Sequence, residues 1–230
     1  MEAVILAGGL GTRLASRLNQ IPKSMAPIAG RPFLEILLDQ LIGQGCNRFV
    51  LSVGHLREVI LKRFRESYKD IPLSYAIEET PLGTGGAIQL ALQQATETSV
   101  LVLNGDTYLD ADFSAMLALH ASTRKPMTMA ITRVPDVGRY GGIVVEQGLV
   151  AGFIEKGCSG SGWINAGVYA VERAFPWPRN LRAPFSFETD VLAPHVKEIN
   201  PVAFACEGRF LDIGVPEDLD RAQVDLPPVR

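Results

Sequence analysis

The sequence predicts an α/β fold, three layers built around a mixed, mainly parallel sheet. Two observations carry that expectation. Short apolar strands alternate with amphipathic helical stretches through the first half, which is the rhythm of βαβ units. The run "VLVL" within residues 100–106 is apolar at every position, as a strand buried on both faces requires.

The elements follow in order. "AVILA" (3–7) is too short for a helix and is stopped by glycine, so it reads as a buried strand. "RPFLEILLDQLIGQG" (31–45) places Phe33, Leu34, Leu37, Leu38 and Leu41 at helical spacing, with Pro32 near its start and Gly43 or Gly45 at its end. "RFVLSV" (48–53) is a second strand, "LREVILKRFRESY" (56–68) a second helix and "LSYAI" (73–77) a third strand. The turn "PLGTGG" (81–86) leads into a helix at 87–95, and "VLVLNGD" (100–106) is the fourth strand. The second half is strand-rich at 126–134, 141–146, 149–155 and 163–171, with helical stretches near 187–196 and 216–224 and strands near 202–206 and 209–213. No linker, repeat or low-complexity tract interrupts it. One domain spanning 1–230 is expected, the later strands forming a lobe grafted on one sheet.

The totals narrow the function. Twenty-two Lys+Arg against 25 Asp+Glu give a net charge of −3, without the basic excess of a nucleic-acid binder. Cys46, Cys158 and Cys206 are far apart and odd in number, which suits a reducing compartment rather than a disulfide framework. No signal peptide and no apolar run approaching the roughly 20 residues of a membrane span is seen, so a cytoplasmic protein is expected. A homo-oligomer is compatible with the sequence, which carries no reading of symmetry.

The opening stretch bears chemistry. A strand ending at Ala7 runs into "GGLGTR", and in open α/β sheets ligands gather beyond the carboxyl ends of strands. Glycines let backbone N–H groups approach a phosphate, and Arg13 adds a planar fork suited to its oxygens. The loop is neither a Walker motif nor a complete dinucleotide fingerprint, and an isolated "GGLG" is equally a tight turn. A lone lysine such as Lys23 is usually solvated. His55, His120 and His195 show no metal-ligand spacing, and surface or cap roles suit each.

Taken in order, the motifs "GGLGTRL" (8–14), "PKSM" (22–25), "PLGTGG" (81–86), "NGD" (104–106), "EK" (155–156) and "DIG" (212–214) resemble those of the sugar-1-phosphate nucleotidylyltransferase family. The resemblance covers nearly the whole chain, from Ala3 to about Asp218, and the finer spacing is similar to the guanylyltransferases within it. It implies a Rossmann-like nucleotide-diphospho-sugar transferase fold with a small sugar-binding β lobe. Residues 1–110 would mainly bind nucleotide and 111–230 mainly sugar phosphate. The implied reaction joins a sugar 1-phosphate to NTP, giving NDP-sugar and pyrophosphate.

The resemblance also implies roles. Leu6, Ala7, Gly8, Gly9, Gly11, Thr12, Pro81, Gly83, Thr84 and Asn104 would line the nucleotide site, with Arg13 on the β- and γ-phosphates and Lys23 on the α-phosphate during attack. Asp106 and Asp212 would hold Mg²⁺, or Mn²⁺, although either aspartate is also compatible with a turn or cap role. Lys156 would take the sugar phosphate and Glu155 the sugar hydroxyls, with Tyr140, Gly141, Asn165 and Glu188 nearby. This chain has Gly157 where the family usually has proline, and Glu155 and Lys156 serve one ligand only near a strand end or bulge. "WINAGVY" (163–169) also reads as a core strand, as Trp163 and Val168 do. Glu78 occupies the base-edge position. A carboxylate accepts from the N1–H and N2–H₂ of guanine, which favours GTP, while the single N3–H of uracil or thymine stays open. No residue reads the difference between heptose and mannose 1-phosphates. Two other classes share such features: a nucleotide-sugar-dependent glycosyltransferase, for which "GDTYLD" offers Asp106 and Asp110, and a non-catalytic nucleotide-sugar sensor.

Overall fold

The computed structural model describes residues 1–226 except 10, 12, 13, 15, 16 and 19. Its strands are β1 (Glu2–Leu6), β2 (Pro27–Ile28), β3 (Arg31–Pro32), β4 (Arg48–Val53), β5 (Ser67–Tyr68), β6 (Ile71–Ile77), β7 (Ser99–Asn104), β8 (Thr107–Leu109), β9 (Met127–Val134), β10 (Gly142–Glu146), β11 (Leu149–Ile154), β12 (Gly162–Glu172), β13 (Val202–Cys206) and β14 (Phe210–Asp212). The helices are α1 (Phe33–Gly43), α2 (Arg57–Phe64), α3 (Gly83–Leu92), α4 (Phe113–Thr123), α5 (Ala193–Ile199) and α6 (Pro216–Asp225). A 3-10 turn at Lys23–Met25 and a π-helical turn at Phe187–Leu192 complete them.

Side-chain alternation along the central strands divides two cores. Ala3 and Ile5 of β1, Phe49 and Leu51 of β4, and Leu101 and Leu103 of β7 face one side, where α1 and α4 supply Leu37, Leu38, Leu41, Phe113 and Met116. Val4, Val50, Val100 and Val102 face the other, against Ile88, Ala91 and Leu92 of α3 and the aromatic pair Phe185 and Phe187. A period of two on strands buried on both faces gives three layers, as expected.

The sheet is less parallel than the sequence suggests. Its order is β10-β11-β13-β9-β12-β7-β1-β4-β6-β5. Among the described residues, β7, β1, β4 and β6 run parallel, as do β9 and β13, but the other neighbouring pairs are antiparallel. The cause is β12, which follows the β10–β11 hairpin and inserts between β7 and β9 in the opposite sense. The second-half strands thus extend the same sheet.

Other elements differ from expectation locally. The helix α4 is unforeseen, although Asp112 accepts from the Ala115 amide at 2.8 Å as its N-cap, and Phe113, Met116 and His120 are buried at helical spacing. The helix α3 starts at Gly83, so the glycine-rich turn is its first turn, not its approach. The helix α2 ends at Phe64, where Arg65 takes a φ of 53° and the chain turns into β5.

Candidate active site

The strands β7, β1 and β4 end level with one another, Leu6 pairing in register with Asn104 on one side and Ser52 on the other. The Gly105 amide donates to the Leu6 carbonyl at 2.9 Å, and a Cβ on Gly105 would stand 2.5 Å from that oxygen. Beyond this rim lie two adjoining cavities. One of about 180 Å³ is lined by Leu6, Ala7, Gly9, Gly11, Lys23, Ser24, Gly105, Asp106 and Gly214. The other, about 690 Å³, includes Leu6, Gly8, Gly9, Gly54, His55, Glu78, Pro81, Gly83, Thr84, Asn104 and Asp106 in its walls. Leu6, Gly9 and Asp106 belong to both.

Lys23, Asp106 and Asp212 meet where the cavities join. Asp106 occupies the turn between β7 and β8, and β8 pairs antiparallel with β14 so that Thr107 faces Asp212. The Ile213 amide donates to the Asp106 carbonyl at 3.0 Å, locking the two segments together across more than 100 positions of sequence. The Lys23 ammonium pairs with Asp106 Oδ2 and lies 3.7 Å from Asp212 Oδ1. A Cβ on Gly214 would come within 2.7 Å of Asp212 Oδ1 and 3.1 Å of Lys23 Nζ, so the absence of a side chain there keeps the cluster open. Burial pushes the Asp212 carboxyl up from its ordinary value, and the Asp106 charge adds to that; Lys23 and Arg139 pull it back in part. Two carboxylates under repulsion from one another favour whatever cation enters between them.

At the far end of the larger cavity, Glu78 is half-buried and its carboxylate is already oriented. The Ser52 hydroxyl donates to Oε1 at 3.2 Å and the Leu82 amide to Oε2 at 3.1 Å. Each oxygen keeps an unused lone pair. Gly8 is required beside it, because a Cβ there would stand 2.8 Å from Glu78 Oε1 and 2.9 Å from the Gly54 nitrogen.

A third group lies beyond Asn104. Gly167, with a φ of 68°, sits where β12 is irregular, and a Cβ there would stand 3.1 Å from the Asn104 carboxamide carbon. Asn165 Oδ1 accepts from the Gly167 amide at 3.0 Å, while its Nδ2 donates to Glu188 Oε1 at 2.7 Å and to the Tyr169 hydroxyl oxygen at 2.6 Å. Burial raises the Glu188 carboxyl, with Lys156 and hydrogen bonds from Tyr169 and Asn165 opposing that shift. Glu155 and Lys156 are exposed and follow the end of β11, which frees both from the strict alternation of a strand. Gly141 has a φ of 83° and lies close to Lys156, whose Cγ would be 3.6 Å from an added Cβ.

The structure therefore brings Leu6, Ala7, Gly8, Gly9, Gly11, Lys23, Glu78, Pro81, Gly83, Thr84, Asn104 and Asp106 around two joined cavities, with Asp212 against Lys23. Asn165 and Glu188 form the neighbouring polar group, while Gly141 and Lys156 come together at the end of β11. Thr12 and Arg13 lie outside the described residues. Tyr140 points elsewhere: it packs edge-on to Phe210 at 5.7 Å and lines a separate cavity of about 630 Å³ with Arg133, Arg139 and Trp163. Trp163 is half-buried there under the Arg133 guanidinium, unlike Val168, which is core. His120 is not a surface residue but is buried, Nδ1 lying 3.1 Å from Thr128 Oγ1 and Nε2 3.3 Å from Glu172 Oε1. Asp110 is exposed, and its amide donates to Arg209 O at 2.8 Å. Ser52 went unnoticed, because a serine ending an apolar strand is too common to single out; Gly105 and Gly214 fall inside the motifs at 104–106 and 212–214, and Arg139 opens the stretch "RYGG" (139–142) expected to line the sugar site, but none of the three carried a role of its own.

A sheet rim of bare amides, two facing aspartates and one lysine make a site for a polyphosphate, and the chain belongs to the nucleotidyl transferase family, whose model matches residues 2–227. Its relatives are more particular. It is 39% identical over 226 residues to the D-glycero-alpha-D-manno-heptose 1-phosphate guanylyltransferase of Aneurinibacillus thermoaerophilus, covering 98% of each chain. It is 42% identical over 219 residues to the enzyme of that name from Campylobacter jejuni, covering 95% of this chain and 96% of the relative. The solved structure of HddC from Yersinia pseudotuberculosis complexed with GMP-PN is 35% identical, with a TM-score of 0.84 over 98% of this chain and 99% of that one.

Proposed function

We propose that the protein transfers GMP from GTP to D-glycero-alpha-D-manno-heptose 1-phosphate, giving GDP-heptose and pyrophosphate. The observation that carries this is the meeting of Lys23, Asp106 and Asp212 where a phosphate-sized cavity joins one large enough for a nucleoside. Identity of about 40% over nearly the whole length of two enzymes named for this substrate supports the choice of sugar and base.

A phosphate oxygen of the sugar attacks the α-phosphorus; its bond to that phosphorus forms as the bond to the β-bridging oxygen breaks, and pyrophosphate leaves. The nucleophile is already anionic, so no strong base is needed, and the work is to hold two polyanions in line. Lys23 neutralises the α-phosphate as negative charge builds on it, while Arg13 grips the β- and γ-phosphates. The amides of residues 7–9 and Gly11 receive the triphosphate without side chains in the way. Asp106 and Asp212 would hold Mg²⁺, or Mn²⁺, which supplies further charge neutralisation on the phosphates. Hard carboxylate oxygens in a pocket that a Cβ on Gly214 would fill suit such an ion. Glu78 accepts from the guanine N1–H and N2–H₂, Lys156 meets the sugar phosphate, and Glu155, Asn165 and Glu188 meet sugar hydroxyls, with Gly141 giving room. Residues 1–110 thereby serve mainly the nucleotide and 111–230 mainly the sugar. A cytoplasmic enzyme feeding capsule or lipopolysaccharide assembly follows from that product, and no described helix is long and apolar enough to cross a membrane.

The test is a matrix of four NTPs against heptose, mannose and glucose 1-phosphates, scored by pyrophosphate release. GTP with the heptose phosphate should exceed every other pair. Equal rates with mannose 1-phosphate would remove the sugar assignment, and no pyrophosphate from any pair would remove the reaction.

A further inference from the structure

Arg139 lies outside both cavities and yet reaches the acidic pair. Its Nη2 donates to Asp212 Oδ2 at 3.2 Å, and its Nη1 donates to Asp218 Oδ2. Asp218 is 8% exposed, in the first turn of α6, with Arg221 Nη1 3.7 Å from its other oxygen. The guanidinium stands 5.0 Å from the Tyr140 ring, which packs on Phe210 in the strand that ends with Asp212. Tyr140, assigned to the sugar from sequence, instead backs this arginine.

The two oxygens of Asp212 therefore have different surroundings. Oδ2 accepts from Arg139, whereas Oδ1 faces Lys23 and is the nearer of the two to the space left by Gly214, 2.7 Å against 3.2 Å from an added Cβ. We propose that Arg139 is a positioning residue: paired with Asp218, it forms a charge-neutral brace that fixes Asp212 and presents Oδ1 to the divalent cation. This rests on the reading of Asp106 and Asp212 as the cation's ligands. A ligating carboxylate is held in orientation by its hydrogen-bond partners, and losing such a partner typically costs about 10–100-fold in metal affinity. The planar fork of arginine offers Nη1 and Nη2 to the two carboxylates in fixed directions, which the rotatable point charge of a lysine does not. A bare cation beside the site would repel the metal, and Asp218 cancels that repulsion.

The experiment measures Mn²⁺ bound to the full chain by electron paramagnetic resonance, with GTP present and sugar phosphate withheld, so that turnover plays no part. Asp212→Asn should abolish protein-dependent Mn²⁺ binding. The double variant R139Q/D218N keeps the net charge and should weaken Mn²⁺ about tenfold. Arg139→Gln alone should weaken it less, because it also removes a positive charge beside the cation; Arg139→Lys should fall between wild type and the double variant. If Asp212→Asn loses Mn²⁺ but the folded double variant stays within twofold of wild type, the brace is refuted and the metal reading survives. If Asp212→Asn binds as wild type does, the metal reading fails and takes the brace with it. Should circular dichroism show the double variant unfolded, Arg139→Lys decides, and affinity within twofold of wild type overturns the proposal.

Discussion

The two glycine-rich segments look alike in sequence and are used in opposite ways. At Gly9 and Gly11 the backbone borders open cavities: among the described residues a Cβ on Gly9 would meet no atom within 4 Å, and both line the small cavity, while Gly8 is packed against Glu78 and Gly54. At residues 83–86 the glycines are filled from within the protein. A Cβ on Gly83, whose φ is 73°, would lie 2.8 Å from the Phe185 nitrogen, and Gly85 and Gly86 lie under the Phe185 ring. The Gly85 amide donates to the Phe185 carbonyl at 3.0 Å, and Thr84 Oγ1 accepts from the Phe187 amide at 2.9 Å. Glycine announces a close approach; whether a ligand or the chain itself approaches is a separate matter. The second segment still edges the large cavity through Gly83 and Thr84, but its glycines chiefly seat the aromatic turn that carries Glu188.

That contrast separates catalytic effects from structural ones. The largest effect belongs to the charged cluster facing the first segment: Asp106→Ala or Lys23→Ala should lower kcat about 10²-fold or more with the thermal midpoint little changed. Steady-state pyrophosphate release checks this, and a near-wild-type rate would remove the cluster from the mechanism. Next comes Gly83→Ala, which adds backbone strain and a clash that the Phe185 backbone cannot easily relieve. A loss of about 1–3 kcal/mol is expected. At this chain length that is roughly 2–4 °C of midpoint per kcal/mol, readable by calorimetry.

Gly9→Ala should show the reverse. Its stability should stay within about 0.5 kcal/mol of wild type. Its KM for GTP should rise about tenfold as the methyl intrudes on the phosphates, a difference near 1.4 kcal/mol. If Gly9→Ala instead unfolds the protein while Gly83→Ala only raises KM, the two assignments are exchanged. Thr84→Val leaves the Phe187 amide without its acceptor and should cost about 1 kcal/mol. The smallest effect concerns pH. Burial raises the Glu188 carboxyl above its ordinary 4.5, so the folded state holds that proton more tightly than the unfolded chain. Its contribution to stability is present at low pH and fades as pH rises from about 4.5 through the raised value. Glu188→Gln, which cannot ionise, should gain in thermal midpoint relative to wild type between pH 4 and pH 8; a constant difference across that range would exclude the effect.

Much of the fold was legible because one physical signal governed it. The strand at 48–53 was read to the residue, since Phe49, Val50, Leu51 and Val53 make a short, largely apolar run between turn formers. The helix α4 was legible in principle, through Asp112 and the spacing of Phe113, Met116 and His120, but its many small residues dilute the apolar stripe. The direction of β12 was not, because nothing local to "WINAGVYAV" says which neighbour it will find. The same limit applies to side chains: Tyr140 carries no sequence mark that it will stack on an arginine and on Phe210.

By itself the sequence determined the three layers, the strands whose carboxyl ends form the rim, and the residue types that stand there: glycines, one lysine and an aspartate. These are consequences of local pattern and of chemistry that each side chain carries wherever it sits. Tertiary structure alone decided that Asp106 and Asp212 face one lysine, that Arg139 and Asp218 back one of them, and that Gly83 is packed while Gly9 borders a cavity. Those outcomes depend on which distant segments pair, and pairing such as that of β8 with β14 is fixed by the packing of the whole chain rather than by any stretch of it.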